Sequence, residues 1–245
     1  MKTITSRQNP EIKLVDNLKK AKNRKEQNKF IAEGARTVQT LLDLYEPVQL
    51  YLTQKTFDNN HFDIARELIS IVSDEVMQKI STSKTPSGLL CVFKIPKNPT
   101  TQLTPGLVLA NITNPGNMGT LIRTAAAMNI KTVVVIDGTD VWSPKVIQST
   151  AGTLAFVNIF VLSWHELLQQ KKDLKLCALV VKDGQSPEKL DLHNSLIVVG
   201  NEADGIPSTW IDMCEQKCTL AMPGNTESLN AAIAGSIVLY LAFNI

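Results

Sequence analysis

Three polar segments of this 245-residue chain carry side chains that could act on an anionic substrate. The first polar segment, residues 111–130, reads NITNPGNMGTLIRTAAAMNI. Its Asn-Pro-Gly-Asn turn also starts a predicted helix, with either Asn a suitable cap. Helical side chains lean toward the N-terminus, so Arg123 is expected to extend over Gly119 toward the loop. An arginine beside free backbone N–H groups makes an anion site, although an ordinary surface arginine is an equal alternative from this segment alone.

The second and third polar segments bring carboxylates, amides and a hydroxyl. The second, residues 200–207, reads GNEADGIP; its two glycines let backbone approach a ligand while a carboxylate points into the crevice. A tight turn into a helix near Pro207 is the alternative. The third, residues 220–230, reads LAMPGNTESLN and leads into a helix predicted from about 226 to 243. Glu227 there suits the helix dipole, and Ser228 and Asn230 lie just inside the predicted helix.

The segments follow short apolar runs that alternate with helical patterns. Several runs are rich in valine and isoleucine, as in strands buried on both faces. They cover residues 107–110, 132–136, 154–161, 176–181, 196–199 and 218–222. The pattern predicts a mostly parallel sheet covered by helices, in which ligands gather at the carboxyl ends of the strands. The sequence has neither a G-x-G-x-x-G fingerprint nor a Walker motif, which weakens dinucleotide-dependent oxidoreductase and NTPase interpretations.

A smaller α/β unit precedes this region. Helices are predicted at 37–44, 64–68 and 74–80, and strands at 48–53, 71–72 and 88–95. Three prolines in residues 95–105 indicate a stiff linker. The predicted organisation is a domain over 1–95, a linker over 96–105 and a larger domain over 106–245.

Charge is concentrated near the N-terminus. The whole chain has a formal net charge of +2, but residues 13–29 alone carry +5, from seven basic and two acidic side chains. Ile12, Val15 and Leu18 have helical spacing, which leaves the cations on the other faces. Such a cluster is typical of a surface that contacts nucleic-acid phosphates, with a solvated helix face as the alternative.

The spacing of the cysteines and the lengths of the apolar stretches predict the cellular compartment. Four scattered cysteines without a disulfide framework favour a reducing environment. The first residues lack a signal-peptide core, and the longest apolar stretch, 229–243, is shorter than a membrane span. We therefore expect a cytoplasmic protein without a membrane partner. Cys214 and Cys218 have no His or second Cys pair nearby, so no metal is expected. The histidines lie outside the polar segments, which disfavours a His-based triad.

Taken together, the three polar segments resemble, in order and spacing over 106–245, the motifs of the SpoU (TrmH-like) family of RNA ribose 2′-O-methyltransferases, within the SPOUT class. ITSRQNP, KFIAEGARTV and TPSGLLCVF look like the RNA-substrate-binding domain of many ribosomal-RNA members. The resemblance implies a knotted, mostly parallel α/β sheet with a deep trefoil knot, preceded by a small α/β RNA-binding domain. It also implies bent S-adenosylmethionine as methyl donor and a homodimer.

Site residues follow from the resemblance position by position. The implied cofactor contacts are Gly200, Leu220, Met222 and Leu229. The implied catalytic and RNA-handling residues are Asn117, Arg123, Glu202, Ser228 and Asn230. The basic cluster adds predicted RNA contacts at Lys13, Lys19, Lys20, Lys22, Arg24 and Lys25. The expected substrate is 23S-type ribosomal RNA; the alternatives are a transfer-RNA 2′-O-methyltransferase and a non-catalytic RNA-binding or ribosome assembly factor.

The last helix supports the dimer independently of the resemblance. It is apolar nearly all round, and a helix without a polar face is expected to be buried on both sides. Small residues Ala231, Ala234 and Gly235 would permit close helix approach. We therefore predict a homodimer through the C-terminal helix, with a central core helix of a monomer as the alternative.

Overall fold

A computed structural model describes residues 1–224 and 227–243 of the chain. It forms two compact units, each with its own β-sheet. The N-terminal unit comprises residues 1–97 and 142–155, and the C-terminal unit comprises 98–141 and 156–245. The domain limits predicted from composition stay a prediction. They do not anticipate that a piece of the later chain belongs to the first unit.

The N-terminal unit is a five-stranded mixed sheet with helices. Its elements up to residue 97 are β1 (Lys2–Ile4), α1 (Pro10–Asn17), α2 (Ala21–Gln27), β2 (Lys29–Glu33), α3 (Ala35–Leu42), β3 (Pro47–Thr53), α4 (Gln54–Asn59), β4 (Ile69–Val72), α5 (Asp74–Ile80) and β5 (Leu89–Lys94). The strand order is β1-β4-β3-β5-β2, with β5 antiparallel to both of its neighbours. Ile12 and Val15 of α1 and Met77 of α5 pack in one apolar cluster on this sheet, which explains the helical spacing of the apolar residues among the lysines.

The elements after residue 97 alternate strand and helix. They are β6 (Gly106–Ala110), α6 (Pro115–Ala127), β7 (Thr132–Ile136), α7 (Pro144–Thr150), β8 (Asn158–Val161), α8 (Trp164–Gln170), β9 (Lys175–Leu179), β10 (Ser195–Val199), α9 (Ser208–Ile211), β11 (Gln216–Cys218) and α10 (Ala231–Phe243). All but α7 belong to the C-terminal unit. Its six-stranded sheet has the order β11-β9-β10-β6-β7-β8, and every strand pair is parallel in the described chain. The predicted mostly parallel α/β fold is confirmed.

Helix α7 belongs to the N-terminal unit through aromatic and backbone contacts. The ring of Trp142 lies 5.2 Å from that of Phe30, on β2. At Gly152, where φ is +85°, an added Cβ would lie 2.9 Å from the carbonyl oxygen of Thr37, so this close approach requires glycine. The segment 142–155 is thus an integral part of the first unit's core.

Several predicted element limits are wrong. Residues 64–68 contain only a short 3₁₀ turn, Arg66–Leu68, and the run 154–161 is a strand only from Asn158 onward. The last helix begins at Ala231 rather than near 226. Strands β1 and β2 and helix α4 were not predicted. Within the described ranges, no helix is long and apolar enough to cross a membrane.

Candidate active site

The polar segments begin at one edge of the six-stranded sheet. Strands β6 and β10 are paired, with Leu109 opposite Val199, so the first two segments leave neighbouring strand ends. Strand β9 lies between β10 and β11, and the third segment follows β11. Because the strands are parallel, their carboxyl ends face the same side, where α/β folds build their sites.

In the first polar segment, Asn114 fixes the start of α6. Its Oδ1 accepts from the backbone N–H groups of Gly116 at 2.8 Å and Asn117 at 3.2 Å, and Pro115 occupies the first helical turn. Asn caps and Pro at this position both favour helix initiation. The side chain of Asn117 is thereby held in the first turn of α6, beside the strand ends.

The second polar segment is a closed loop with Glu202 at its tip. Asn201 and Gly205 exchange two backbone hydrogen bonds of 3.2 and 3.0 Å, and Gly205 has a φ of +68°. An added Cβ on Gly200 would lie 2.4 Å from the carbonyl carbon of Gly205, so only glycine fits there. This geometry leaves the exposed carboxylate of Glu202 free to face the first segment.

In the third polar segment, Asn230 is the cap of α10 and not a residue inside the helix. Its Oδ1 accepts from the backbone N–H groups of Ala232 at 3.0 Å and Ile233 at 3.2 Å. The capping side chain, together with the intrinsic preference of Asn for caps, explains the later helix start. Residues 225 and 226 of this segment lie outside the described residues, and Glu227 precedes the helix by four positions.

A chain of side-chain hydrogen bonds joins the three segments. Nδ2 of Asn230 donates to Oδ1 of Asn117 at 3.2 Å, and Nδ2 of Asn117 donates to Oε1 of Glu202. The helix N–H groups can only donate, so they fix Oδ1 of Asn230 toward themselves and its Nδ2 toward Asn117. The same logic fixes the amide of Asn117. Oε1 of Glu202 therefore accepts the hydrogen bond from Asn117, as an ionised carboxylate can only accept.

A cavity of about 380 Å³ lies against this chain. Its wall combines aliphatic side chains with the backbone of the second segment. The lining residues are Leu179, Val180, Val181, Val199, Gly200, Asn201, Glu202, Ala203, Asp204, Gly205, Leu220, Met222, Ser228, Leu229, Ala231 and Ala234. All four predicted cofactor contacts (Gly200, Leu220, Met222 and Leu229) are among them, as are Glu202 and Ser228. The structure thus brings the predicted cofactor residues and two predicted catalytic residues to one cavity.

Of the five predicted catalytic residues, Arg123 is the one that neither joins the hydrogen-bonded chain nor lines the cavity. It is exposed on α6 and does not line the cavity. No described residue holds its guanidinium by a hydrogen bond or ion pair. Its neighbour Thr124 instead contacts α10, through a 2.9 Å hydroxyl pair with Ser236. As far as the described residues are concerned, the guanidinium is available to an external anion.

The predicted RNA contacts of the basic cluster divide into exposed and committed side chains. Lys13, Lys20, Lys22 and Lys25 are exposed. Lys19 donates to the carbonyl of Lys79 at 2.6 Å and pairs with Asp16.

Arg24 differs from the expectation most. It is 3% exposed, and its Nη1 donates to the carbonyl oxygens of Leu18 at 2.8 Å and Lys19 at 2.9 Å. The guanidinium satisfies backbone carbonyls after the end of α1, so it stabilises the fold and does not offer a phosphate contact.

Sequence reasoning missed Asn201. Its side chain joins the first two polar segments, and its position between Gly200 and Glu202 was the only available signal. Burial raises the pKa of the Cys214 thiol to about 12, so this thiol adds no reactive group. Within 1–224 and 227–243, His, Cys, Asp and Glu side chains form no group of three suited to a metal.

Family models match both parts of the chain. Residues 105–240 match the model of the SpoU rRNA Methylase family, and residues 9–91 match an MRM3-like substrate binding domain. The first match spans the three polar segments. The second covers α1, α2 and most of the N-terminal sheet.

Relatives and solved structures are similar over nearly the whole chain. The Bacillus subtilis 23S rRNA (guanosine(2553)-2′-O)-methyltransferase RlmP is 24% identical and covers 98% of each chain. A crystal structure of an RNA 2′-O ribose methyltransferase is 27% identical, with a TM-score of 0.80 over 99% of this chain and 98% of that one. A Sinorhizobium meliloti rRNA methyltransferase bound to AdoMet shares the fold, with 24% identity and a TM-score of 0.84 over 98% and 96% of the two chains.

Proposed function

The chain belongs to the SpoU rRNA Methylase family, and on that premise we propose that it transfers a methyl group from S-adenosylmethionine to a ribose 2′-hydroxyl of RNA. The observation that carries the proposal is the chain Asn230–Asn117–Glu202, which joins three distant segments beside one cavity. We propose 23S-type ribosomal RNA as the substrate. The name of the Bacillus subtilis relative and the match to a substrate binding domain support that choice.

The cavity suits S-adenosylmethionine in size and chemistry. Its volume of about 380 Å³ lies within the range typical of small-ligand sites. Aliphatic side chains such as Leu220 and Leu229 would hold the adenine ring, and Gly200 exposes backbone groups because it has no Cβ. The charged lining residues of the described chain, Glu202 and Asp204, are both acidic, which favours a ligand with a sulfonium and an ammonium group. When bound, the cofactor supplies an electrophilic methyl group.

The chain's own residues would orient the ribose and stabilise developing charge. Displacement at a methyl carbon is in-line, so positioning of the hydroxyl supplies much of the rate. Glu202, held at Oε1 by Asn117, has Oε2 to accept a hydrogen bond from the ribose, and Ser228 and Asn230 shape the same edge. A guanidinium keeps its proton at neutral pH and is a poor base. We therefore assign Arg123 to the neighbouring phosphate, where its charge would favour loss of the hydroxyl proton to water as the O–C bond forms, the S–C bond breaks and the neutral thioether leaves.

The exposed lysines of the N-terminal unit are proposed to bind the phosphates of the RNA. Lys13, Lys20, Lys22 and Lys25 offer separate ammonium groups that can displace counterions from phosphates. Lys19 contributes less to the same surface because Asp16 pairs with its ammonium group. Arg24 does not contribute because it is buried. This assignment predicts affinity for many RNA sequences, with selectivity supplied elsewhere.

A homodimer through the C-terminal helix is part of the proposal. In a single chain, α10 buries one face, including Gly235, Val238 and Leu239, and exposes another. The exposed apolar side chains of the helix are Ile233, Ile237, Tyr240 and Leu241, which are 40–52% accessible, and Leu229 just before the helix is 39% accessible. A stripe of this size is costly in water and suits a second copy of the chain. Light scattering should give a dimer mass, and Ile233→Asp should shift it to a monomer; a wild-type monomer mass would refute this arrangement.

We also propose that the C-terminal segment is knotted, as the resemblance implies. The sheet order places β10 between β9 and β6, and α10 packs closely on α6 and β10. An added Cβ at Gly235 would lie 2.6 Å from Leu121 Cδ2 and 3.1 Å from Val199 Cγ2, so glycine permits this approach. An experimental chain trace from Cys218 to Phe243 would test the proposal; a segment that does not pass through a preceding loop would contradict it.

Two measurements test the proposed function. Calorimetry with S-adenosylmethionine should give saturable binding, and Gly200→Val, which would distort the second segment, should abolish it. With labelled cofactor, the protein should transfer methyl groups to unmodified 23S-type ribosomal RNA and not to transfer RNA. Binding without transfer to either RNA would favour a non-catalytic RNA-binding factor, and transfer to transfer RNA alone would overturn the proposed substrate.

A further inference from the structure

The side chain of Asn201 makes three hydrogen bonds, two to the first polar segment and one within its own, the second. Its Nδ2 donates to the carbonyl oxygen of Asn111 at 2.9 Å and to Oγ1 of Thr113 at 3.2 Å. Its Oδ1 accepts from the backbone N–H of Ala203 at 2.8 Å. The N–H of Ala203 can only donate and the carbonyl of Asn111 can only accept, so the amide has one permitted orientation.

These bonds fix the backbone on both sides of Glu202. Before it, the Asn201 backbone pairs with Gly205; after it, Ala203 N–H is held by the Asn201 side chain. Glu202 itself is exposed, so burial does not restrain its side chain. The direction of its carboxylate therefore depends on this local loop geometry and on the bond from Asn117.

The acceptors of Asn201 lie in the connection from β6 to the cap of α6. Asn111 has a φ of +56°, and its N–H remains bonded to the carbonyl of Ile136 at 2.9 Å. Its carbonyl is thus a rigid acceptor at the strand end. Asn201 ties the loop that bears Glu202 to the connection that starts the helix bearing Asn117.

We propose that Asn201 is a positioning residue for methyl transfer, which acts by holding the Glu202 carboxylate in register with Asn117. The inference rests on the proposed function, and it assigns a role to a side chain that no reasoning from the sequence had singled out. We call the three side-chain hydrogen bonds of Asn201 the clamp. Without them, Glu202 keeps one side-chain hydrogen bond, from Asn117, and its loop keeps the two backbone hydrogen bonds between Asn201 and Gly205. A displacement of about 1 Å at a reacting group can lower a rate by about 10²-fold.

The rate test is a double-mutant cycle measured in single turnover with saturating cofactor and RNA. Asn201→Ala should lower the transfer rate by about 10²-fold, with RNA affinity changed less than about twofold. If Asn201 acts through Glu202, Asn201→Ala should cost less than about threefold more in a Glu202→Gln background. Losses that multiply would overturn the proposal. Asn201→Asp keeps the acceptor toward Ala203 but removes the donor toward Asn111, so it should be as slow as Asn201→Ala; near wild-type activity would also overturn it.

Hydrogen exchange of the full-length protein tests the clamp without any activity. The peptide that spans residues 201–206 should exchange about tenfold faster in Asn201→Ala than in wild type. The matched control is Asn194→Ala, which removes an exposed amide bonded to Asp191 at 3.1 Å, just before the amino end of β10, and should leave this peptide unchanged. Unchanged exchange in Asn201→Ala would refute the clamp. A clamp seen by exchange in a protein that transfers no methyl group would instead refute the proposed function.

Discussion

The C-terminal unit and the N-terminal unit arrange their functional side chains in opposite ways. At the strand ends of the C-terminal unit, polar groups 85 and 113 residues apart in sequence bond to one another, so each fixes the orientation of the next. On α1, α2 and the turn between them, Lys13, Lys20 and Lys25 are exposed and share no partner among the described residues. Coupled groups respond to mutation together, whereas independent charges contribute additively. The C-terminal unit therefore fixes the relative positions of its polar side chains, whereas the N-terminal unit supplies separate positive charges.

Removing the Arg123 guanidinium, which has no partner among the described residues, should have the largest effect. Arg123→Ala is expected to lower the single-turnover rate by about 10²- to 10³-fold, because a charge that stabilises the transition state is lost. Cofactor affinity measured by calorimetry should stay within about threefold. Arg66→Ala, which removes an exposed arginine from the N-terminal unit, is the control and should leave the rate unchanged. Robust transfer by Arg123→Ala would remove Arg123 from the site.

Replacing the Asn117 amide by a carboxylate should disrupt the hydrogen-bonded chain of the C-terminal unit. In Asn117→Asp, a carboxylate would face the Glu202 carboxylate where an amide now donates, and like charges at this distance repel. We expect a rate about 10²-fold lower, with thermal stability reduced by a few degrees. The same substitution at Asn129, at the other end of α6, where φ is +56°, is the control. If Asn117→Asp transferred methyl groups at the wild-type rate, the polarity of the hydrogen-bonded chain would be irrelevant.

The sequence pattern predicts the strands that carry the site, but not the contacts between the polar segments that follow them. Residues 132–136 were predicted as a strand with correct limits, because a valine run buried on both faces has a distinct pattern. The start of α10 was misplaced because Asn230, used as a cap, resembles a polar residue inside a helix. The pattern does not predict strand β2, because charged residues, Lys29 and Glu33, occupy the first and last of its five positions.

Arg24 and the segment 142–155 show the limit more clearly. Nothing in a run of cations distinguishes the one that turns inward to cap carbonyls. Likewise, only tertiary contacts of Trp142 reveal that α7 packs with the N-terminal sheet. Long-range packing decides both features, and local pattern does not encode them.

Arg24 should therefore behave as a core residue. Arg24→Ala leaves the carbonyls of Leu18 and Lys19 without their donor, which should lower the free energy of unfolding by about 1–3 kcal/mol. The salt dependence of RNA binding should not change. Chemical denaturation and binding at several salt concentrations measure the two quantities. A wild-type stability with a reduced salt slope would return Arg24 to the RNA-binding surface.

The exposed lysines should give the smallest single effects. Lys20→Ala or Lys25→Ala should weaken RNA binding a few-fold and reduce the slope of log affinity against log salt by about 0.7–0.9 per residue. Losses should add in the double variant, and the single-turnover rate at saturating RNA should not change. Strongly non-additive losses, or a lower rate at saturation, would mean that this surface is coupled to the reaction.

The chemical identity of the methylated atom is the decisive test of methyl transfer to a ribose 2′-hydroxyl. Unmodified 23S-type ribosomal RNA would be incubated with the protein and labelled S-adenosylmethionine, digested to nucleosides and analysed by mass spectrometry, with Arg123→Ala in parallel. We expect a 2′-O-methylated nucleoside in the wild-type reaction and almost none with Arg123→Ala. A methyl group on a base, or no methylated nucleoside from a protein that binds the cofactor, would contradict it.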